Sequence, residues 1–138
     1  MTLKLTLKKM PFEVMVTGEK KIEFRCPSKW IESRLFDKET NKRNYKFIEF
    51  TNGYGKSRPF FKAKYNGFYV SNNINEIFSN GLKIISNEKT YCIKIGDIIE
   101  IKNYDSLWTI YKMLVVIQIT DAKNIDSFLY VFFIFKIG

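Results

Sequence analysis

The sequence predicts an α+β fold in which a β-rich, barrel-like body carries two short helices near the N-terminus. Two observations lead to this prediction. Runs of alternating apolar and polar residues recur along the first two thirds of the chain, and this alternation is typical of half-buried strands. Aromatic residues make up 17% of the sequence, which suits packing on pleated sheets. The length of 138 residues is close to the commonest size of one domain.

The N-terminal segment predicts a strand followed by a short helix. "LKLTLKK" begins at residue 3 and alternates leucine with polar residues, as a half-buried strand does. Pro11 suits the first turn of a helix because its missing N–H would have no partner there. Gly18 follows the apolar run "FEVMV" and would end the helix in the left-handed conformation.

The next segment predicts a second strand and a second helix. In "KKIEFR" the alternation would direct Ile22 and Phe24 toward the core and the charged residues between them away from it. Lys20 precedes this alternation, so its direction stays open. Ser28 would cap the helix "KWIESRLF", whose apolar residues have helical spacing.

The middle of the chain predicts further strands separated by polar loops. "YKFIEF" and "FFKAKYNGFYV" are predicted strands, the second with a turn or bulge at Asn66-Gly67, and residues 51–59 form a basic loop between them. "NEIFSNGLKII" is ambiguous, and a short helix ended by Asn80-Gly81 is one interpretation of it. "TYCIKIG" and "DIIEIKN" predict two strands joined by a tight turn at Gly96-Asp97.

The last third of the chain is the most apolar. We divide the sequence into a domain of residues 1–103 and an extension of residues 104–138, whose two apolar runs are interpreted as strands packed on the same domain. An oligomer contact through this segment stays an open alternative. Both runs are too short to span a bilayer as helices, so no membrane role is expected.

The cysteine and histidine counts restrict the chemistry and the compartment. Cys26 and Cys92 are the only cysteines, and histidine is absent, which argues against a metal site. We therefore expect neither a metal nor a cofactor. The N-terminus lacks the apolar stretch of a signal peptide, so a cytoplasmic protein with reduced thiols is expected.

The positive charge is concentrated in the first half of the chain. Residues 1–66 contain 16 Lys or Arg against 7 Asp or Glu, while residues 67–138 contain 7 of each. The whole formal net charge of +9 therefore lies in the first half. A one-sided positive field attracts phosphates, which favours a nucleic-acid partner. The alternative is a general lysine bias without any such partner.

The stretch "GEKKIEFR" places lysine, glutamate and arginine side chains close together, directly after a glycine. Lys20 and Lys21 would supply compact positive charges, and Arg25 a planar fork of donors for a phosphate or a base edge. Glu23 would accept from an exocyclic amine of a base or hold the cations in place. Gly18 has a structural role as the turn residue. A purely structural network of ion pairs is the competing interpretation.

The basic loop adds a second set of candidate binding residues. Tyr54 would offer a stacking face, and Lys56 and Arg58 would contact RNA phosphates. The loop lacks the spacing of a phosphate-binding P-loop, so a nucleoside triphosphate site is not predicted.

The pattern G-x-K-x-x-E-x-R, placed between a short helix and a strand, resembles the signature of the ASCH domain, a PUA-like family. The stretches "KFIEFTNGYGKSRPFFKAKYNGF" and "YCIKIGDIIEI" are similar to the body of small bacterial and phage-type members. The resemblance covers about residues 3–103. It implies a PUA-like β-barrel whose cleft is lined by the motif and whose partner is RNA or a modified nucleoside.

The resemblance leaves catalysis open, since some members bind RNA and a few hydrolyse RNA or N4-acetylcytidine. Lys20 and Glu23 would be the catalytic residues of a hydrolase, because a lysine beside a carboxylate in a dry cleft can act in proton transfer. The amidohydrolase members have threonine at the position of Glu23, and this chain departs from them there. A binding module, a small hydrolase and an interaction protein acting through its apolar C-terminal third are therefore the three hypotheses.

Overall fold

A computed structural model of the protein describes residues 1–104, and this part of the chain consists mostly of strands with two short helices. The elements in chain order are β1 (Thr2–Leu7), α1 (Lys9–Val16), β2 (Ile22–Arg25), α2 (Lys29–Leu35), β3 (Phe47–Asn52), β4 (Phe60–Ser71), β5 (Ile74–Ile77), β6 (Lys83–Ser86) and β7 (Thr90–Lys102).

Five strands form one mixed sheet in the order β1-β3-β4-β7-β2. β1 pairs with β3 in parallel, and the other neighbours are antiparallel. β1 and β2 therefore lie at opposite edges of the sheet, although α1 connects them directly in sequence. The sheet curls into a half-barrel, which confirms the α+β class and the barrel-like body in this coarse form.

The long strands β4 and β7 bend at bulges. Their register shifts three times, and one of the shifts lies between Tyr65 and Phe68. Gly67 has a φ of +78° there, so the irregularity predicted at Asn66-Gly67 is confirmed. Bulges increase the local twist of a strand pair, which accounts for the curl of the sheet in this region.

The tight turn predicted at Gly96-Asp97 is wrong, because both residues lie inside the continuous strand β7. If residue 96 had a side chain, its Cβ would lie 2.9 Å from Nδ2 of the Asn66 side chain. The glycine therefore marks a close approach of the facing bulge and not a turn.

The short helix expected for "NEIFSNGLKII" is also wrong, because this segment forms the β5–β6 hairpin. Phe78 N–H donates to Leu82 O at 2.9 Å across its turn, and Gly81 has a φ of +86°. Four isoleucines in the hairpin strands favour the extended conformation. Asn80-Gly81 is thus the turn of a hairpin and not the end of a helix.

Both N-terminal helices begin and end as their sequences predict. Ser28 Oγ accepts from Ile31 N–H at 3.2 Å and caps α2. Gly18 has a φ of +81° directly after α1, and Lys20 N–H donates to Val14 O at 2.9 Å. The chain reverses at Gly18 and returns along the helix that it has just left.

The core lies on the concave side of the sheet and is closed by α1. The alternate leucines of β1 are buried, and Phe12 of α1 packs edge-on against Phe61 with ring centroids 5.3 Å apart. Phe61 in turn stacks on Phe50 at 4.9 Å. Aromatic contacts thus hold α1 against the middle of the sheet.

The direction predicted for β2 is wrong. Glu23 is buried, whereas Ile22 and Phe24 are partly exposed. The alternation itself is present, but the charged position faces inward because a buried lysine, Lys20, lies next to it.

No helix within residues 1–104 is long and apolar enough to cross a membrane. The strands and the oligomer contact expected for residues 104–138 lie outside the described residues, apart from Tyr104 itself. The ring of Tyr104 packs edge-on against Phe12 at 5.3 Å.

Tyr45 and Tyr65 allow a matched test of how hydrogen bonding of a tyrosine hydroxyl affects stability. The Tyr45 hydroxyl donates to Arg34 O at 2.5 Å, while the Tyr65 hydroxyl is buried and has no hydrogen-bond partner among residues 1–104. We expect Tyr65→Phe to raise the unfolding free energy by about 1 kcal/mol, and Tyr45→Phe to lower it by about 1–2 kcal/mol. Urea titration of both variants checks this, and a destabilised Tyr65→Phe protein would contradict it.

Burial raises the pKa of Tyr65 from 10.0 to about 12. Between these values the folded state keeps a proton that the unfolded state has released, so this residue makes stability fall as the pH rises through that range. The Tyr65→Phe protein should lack this contribution.

Candidate functional site

The ammonium group of Lys20 is the most unusual feature of the described chain. Its side chain is 1% exposed, although lysine is almost never buried without a partner. Nζ lies 2.7 Å from Glu23 Oε2 and also donates to Ile22 O. The Phe24 ring centroid lies 5.2 Å from the same nitrogen, close enough for a cation–π contact.

Glu23 connects Lys20 to Arg25. Its side chain is 8% exposed, with Oε2 on Lys20 and Oε1 2.8 Å from Arg25 Nε. The Arg25 Nε–H is not directed at that oxygen in hydrogen-bond geometry, so the contact is ionic. One carboxylate is therefore shared by two cations, which accounts for its inward direction.

Arg25 also bridges the two edges of the half-barrel. Its Nη2 donates to Thr6 O at 2.8 Å. Arg25 lies on β2 and Thr6 on β1, and these strands are the opposite edges of the five-stranded sheet. A charge-assisted hydrogen bond of a side chain thus spans the gap that backbone pairing leaves open.

A cleft of about 890 Å³ opens at this gap. We call it the seam cleft. One wall is the end of β1 and the start of α1, from Thr6 to Lys9, and the other is Glu23–Arg25 of β2. Its volume lies within the usual range of small-molecule sites. Glu23 is the acidic residue among those that line the cleft, and its side chain is nearly buried.

Aromatic and cationic side chains surround the seam cleft. Trp30 of α2 and Tyr54 of the loop after β3 line it and are 47% and 88% exposed. The Arg34 guanidinium lies 3.7 Å from the Trp30 ring centroid. Lys8 and Lys9 add two exposed cations. Aromatic faces, cations and one carboxylate are therefore combined at one opening.

The structure brings together some of the predicted site residues and separates others. Glu23, Arg25 and Tyr54 line the seam cleft. Lys20 lies behind Glu23 and does not line the cleft, and Lys21 is exposed beside a different depression.

The two predicted cations of the basic loop line a neighbouring groove. Lys56 and Arg58 are exposed there, and Thr6 lines both the groove and the seam cleft.

Among the residues that sequence reasoning missed are the two exposed lysines and the exposed tryptophan that line the cleft. The pattern places Lys8 and Lys9 only at the end of a strand, and Trp30 only in a helix. The direct sequence of β1 and α1 places the two lysines at the sheet edge. Sequence contains no signal that β2 would lie opposite that edge, because the pairing of β2 with β7 is a long-range contact.

Burial lowers the pKa of Lys20 below its ordinary value of 10.5, and the attraction of Glu23 opposes this shift. A lysine with a lowered pKa is a common feature of functional sites. Here the cause is the burial of the Lys20 ammonium behind Glu23, which lines the cleft. Lys20 does not line the seam cleft, and its hydrogen bond to Glu23 connects it to a residue that does.

Within residues 1–104 no group of histidine, cysteine or acidic side chains is arranged to hold a metal ion. Comparisons with protein-family models, with curated proteins and with solved structures gave no match. The resemblance to the ASCH domain stays a prediction.

The two partners of the buried ion pair should respond differently to replacement. Lys20→Met leaves Glu23 with Arg25, whereas Glu23→Gln leaves a buried ammonium without a carboxylate. We expect Glu23→Gln to lower the unfolding free energy by about 3–5 kcal/mol, and Lys20→Met to lower it by clearly less.

Urea titration of the two variants measures this difference. Lys4→Met is the control, because the Lys4 side chain is 76% exposed and lies 3.6 Å from Glu49, so its replacement should change stability by less than about 1 kcal/mol. A Lys20→Met protein less stable than Glu23→Gln would contradict the account.

Proposed function

We infer that this protein binds RNA or a nucleoside, as an ASCH-type domain would, and that the seam cleft receives a base. One observation carries this proposal. A nearly buried carboxylate, fixed by two cations, faces a cleft whose rim carries exposed aromatic and cationic side chains.

Glu23 and Arg25 form the floor of the seam cleft, which therefore combines a hydrogen-bond acceptor with donors. Each carboxylate oxygen of Glu23 has two lone-pair sites. Lys20 uses one site on Oε2, and the contact of Arg25 with Oε1 is ionic, so acceptor sites stay available on both oxygens. The guanidinium of Arg25 has five N–H donors, more than its contacts with Thr6 and Glu23 require. A base edge presents an exocyclic amine or ring N–H beside an acceptor, which is the complement of this pair.

The rim supplies stacking surfaces. Trp30 and Tyr54 stay exposed at the cleft, and base stacking on such rings contributes about 1–3 kcal/mol per base. Lys8 and Lys9 lie beside them and favour a ligand with a phosphate. Aromatic residues are often buried in the core, but these two rings are exposed.

The arrangement of the four motif residues supports the proposed binding site. Gly18 reverses the chain, Lys20 becomes buried against α1, and Glu23 and Arg25 continue the network to the opposite sheet edge. The four motif residues thus act as one unit. Their common result is a polar floor at the mouth of a half-barrel.

Removal of either rim aromatic should weaken binding. We expect Trp30→Ala and Tyr54→Ala each to reduce the affinity for a mixed single-stranded RNA about 5- to 100-fold, because each removes a stacking face. Tyr69→Ala is the control, since Tyr69 is 41% exposed but does not line the cleft.

Fluorescence anisotropy with labelled RNA measures the three affinities, and circular dichroism checks that each variant is folded. Equal affinities of wild type and both rim variants would contradict a base-binding cleft.

Hydrolysis of RNA or of a modified nucleoside is the second candidate function. The observation that favours it is the buried Lys20 beside Glu23, with a pKa lowered by burial. In this hypothesis Glu23 accepts a proton from the attacking water, and Lys20 positions Glu23. The glutamate in place of the threonine of the amidohydrolases argues against acetylcytidine as the substrate.

Mass spectrometry of N4-acetylcytidine and of RNA after incubation tests this second function. A hydrolase should lose at least about 100-fold of its turnover in Glu23→Gln, under conditions in which circular dichroism shows that this destabilised variant is folded, and keep it in Glu88→Gln, an exposed control. The absence of products with wild-type protein would contradict the hydrolase and leave the binding function.

A further inference from the structure

The groove beside the seam cleft has a different composition from the cleft. We call it the loop groove; it has a volume of about 330 Å³ and lies between β1, β3, the loop after β3 and the end of β7. Four cationic side chains line it, namely Lys4, Lys56, Arg58 and Lys102, against the one carboxylate of Glu49. The groove therefore has an excess of positive charge.

Two of these cations are not neutralised by the described part of the chain. Lys4 lies 3.6 Å from Glu49, and Lys102 lies 2.8 Å from Glu100. Lys56 and Arg58 have no ion-pair partner within residues 1–104. Both come from the loop between β3 and β4 and are exposed.

The loop groove adjoins the seam cleft across one residue. Thr6 lines both, and its carbonyl accepts the Arg25 hydrogen bond that spans the two sheet edges. Tyr54 lines the cleft and Lys56 lines the groove, so one loop contributes to both. A ligand longer than one nucleotide would pass from one site to the other over Thr6.

We propose that the loop groove binds backbone phosphates next to the nucleotide whose base lies in the seam cleft, and that the ligand is a single-stranded polynucleotide and not a free nucleoside. The cleft selects an unpaired base, because a paired base cannot present its Watson–Crick edge to Glu23. Lys56 and Arg58 provide positive charges for the phosphates. Neither of them is paired with a carboxylate within residues 1–104. This inference rests on the proposed function.

Isothermal titration calorimetry with a cytidine monophosphate and with a cytidine pentanucleotide tests the proposal. The variant Lys56→Ala/Arg58→Ala should bind the pentanucleotide about tenfold more weakly and bind the monophosphate unchanged. Its affinity should also depend less steeply on salt, by about 1.4 in the logarithmic slope for two lost phosphate contacts.

Lys38→Ala/Lys83→Ala is the matched control, since it removes the same charge from two exposed residues that line neither site. Pentanucleotide affinity that is unchanged in Lys56→Ala/Arg58→Ala, or equally reduced in the control, would overturn the loop groove as a phosphate site. Trp30→Ala would still report on the cleft in that case. Failure of wild type to bind either ligand would overturn the proposed function as well.

Matched deoxy and ribo pentanucleotides distinguish the two polynucleotide sources, and either one bound through the groove supports the proposal. A duplex bound as tightly as the single strand would contradict it.

Discussion

The burial of the Lys20 ammonium is the constraint on which the rest of the site depends. A buried charge is tolerated only when it is paired and hydrogen-bonded, and Lys20 is 1% exposed. Glu23 must therefore face inward, although the sequence of its strand predicts Ile22 and Phe24 on that side. Since Glu23 has a second oxygen to satisfy, Arg25 is drawn to the same place. The network of Lys20, Glu23 and Arg25 therefore follows from the burial of the Lys20 ammonium. It can form because the three residues lie within six positions of the sequence.

The same network determines where the half-barrel stays open. The sheet curls through the bulges of β4 and β7, which brings its edge strands near each other without pairing them. Arg25 spans the gap through Thr6 O. A gap closed by a side chain is wide enough for a ligand, and its floor is polar. The three side chains that stabilise this part of the fold are therefore the same ones that lie at the floor of the seam cleft or directly behind it.

Local features were predictable from the sequence, and long-range ones were not. The strand β1, the Ser28 cap and the reversal at Gly18 depend on residues within a few positions, and the structure confirms them. The direction of β2 depends on Lys20, whose burial the alternation could not indicate. The turn predicted at Gly96 was wrong because the reason for this glycine, the close approach of Asn66, is on another strand. Three of the predicted site residues line the cleft, but its second wall required the sheet order.

Nuclear magnetic resonance of isotope-labelled protein during titration with a single-stranded pentanucleotide tests the central claim most directly. The account predicts that the Trp30 indole N–H, the Arg25 side-chain N–H and the Gly53 amide change their chemical shifts together, because all three residues line the seam cleft. Amides of the β5–β6 hairpin should stay unchanged. Shifts confined to that hairpin, or to any surface without Arg25, would contradict the claim that the polar floor of the seam cleft receives a base.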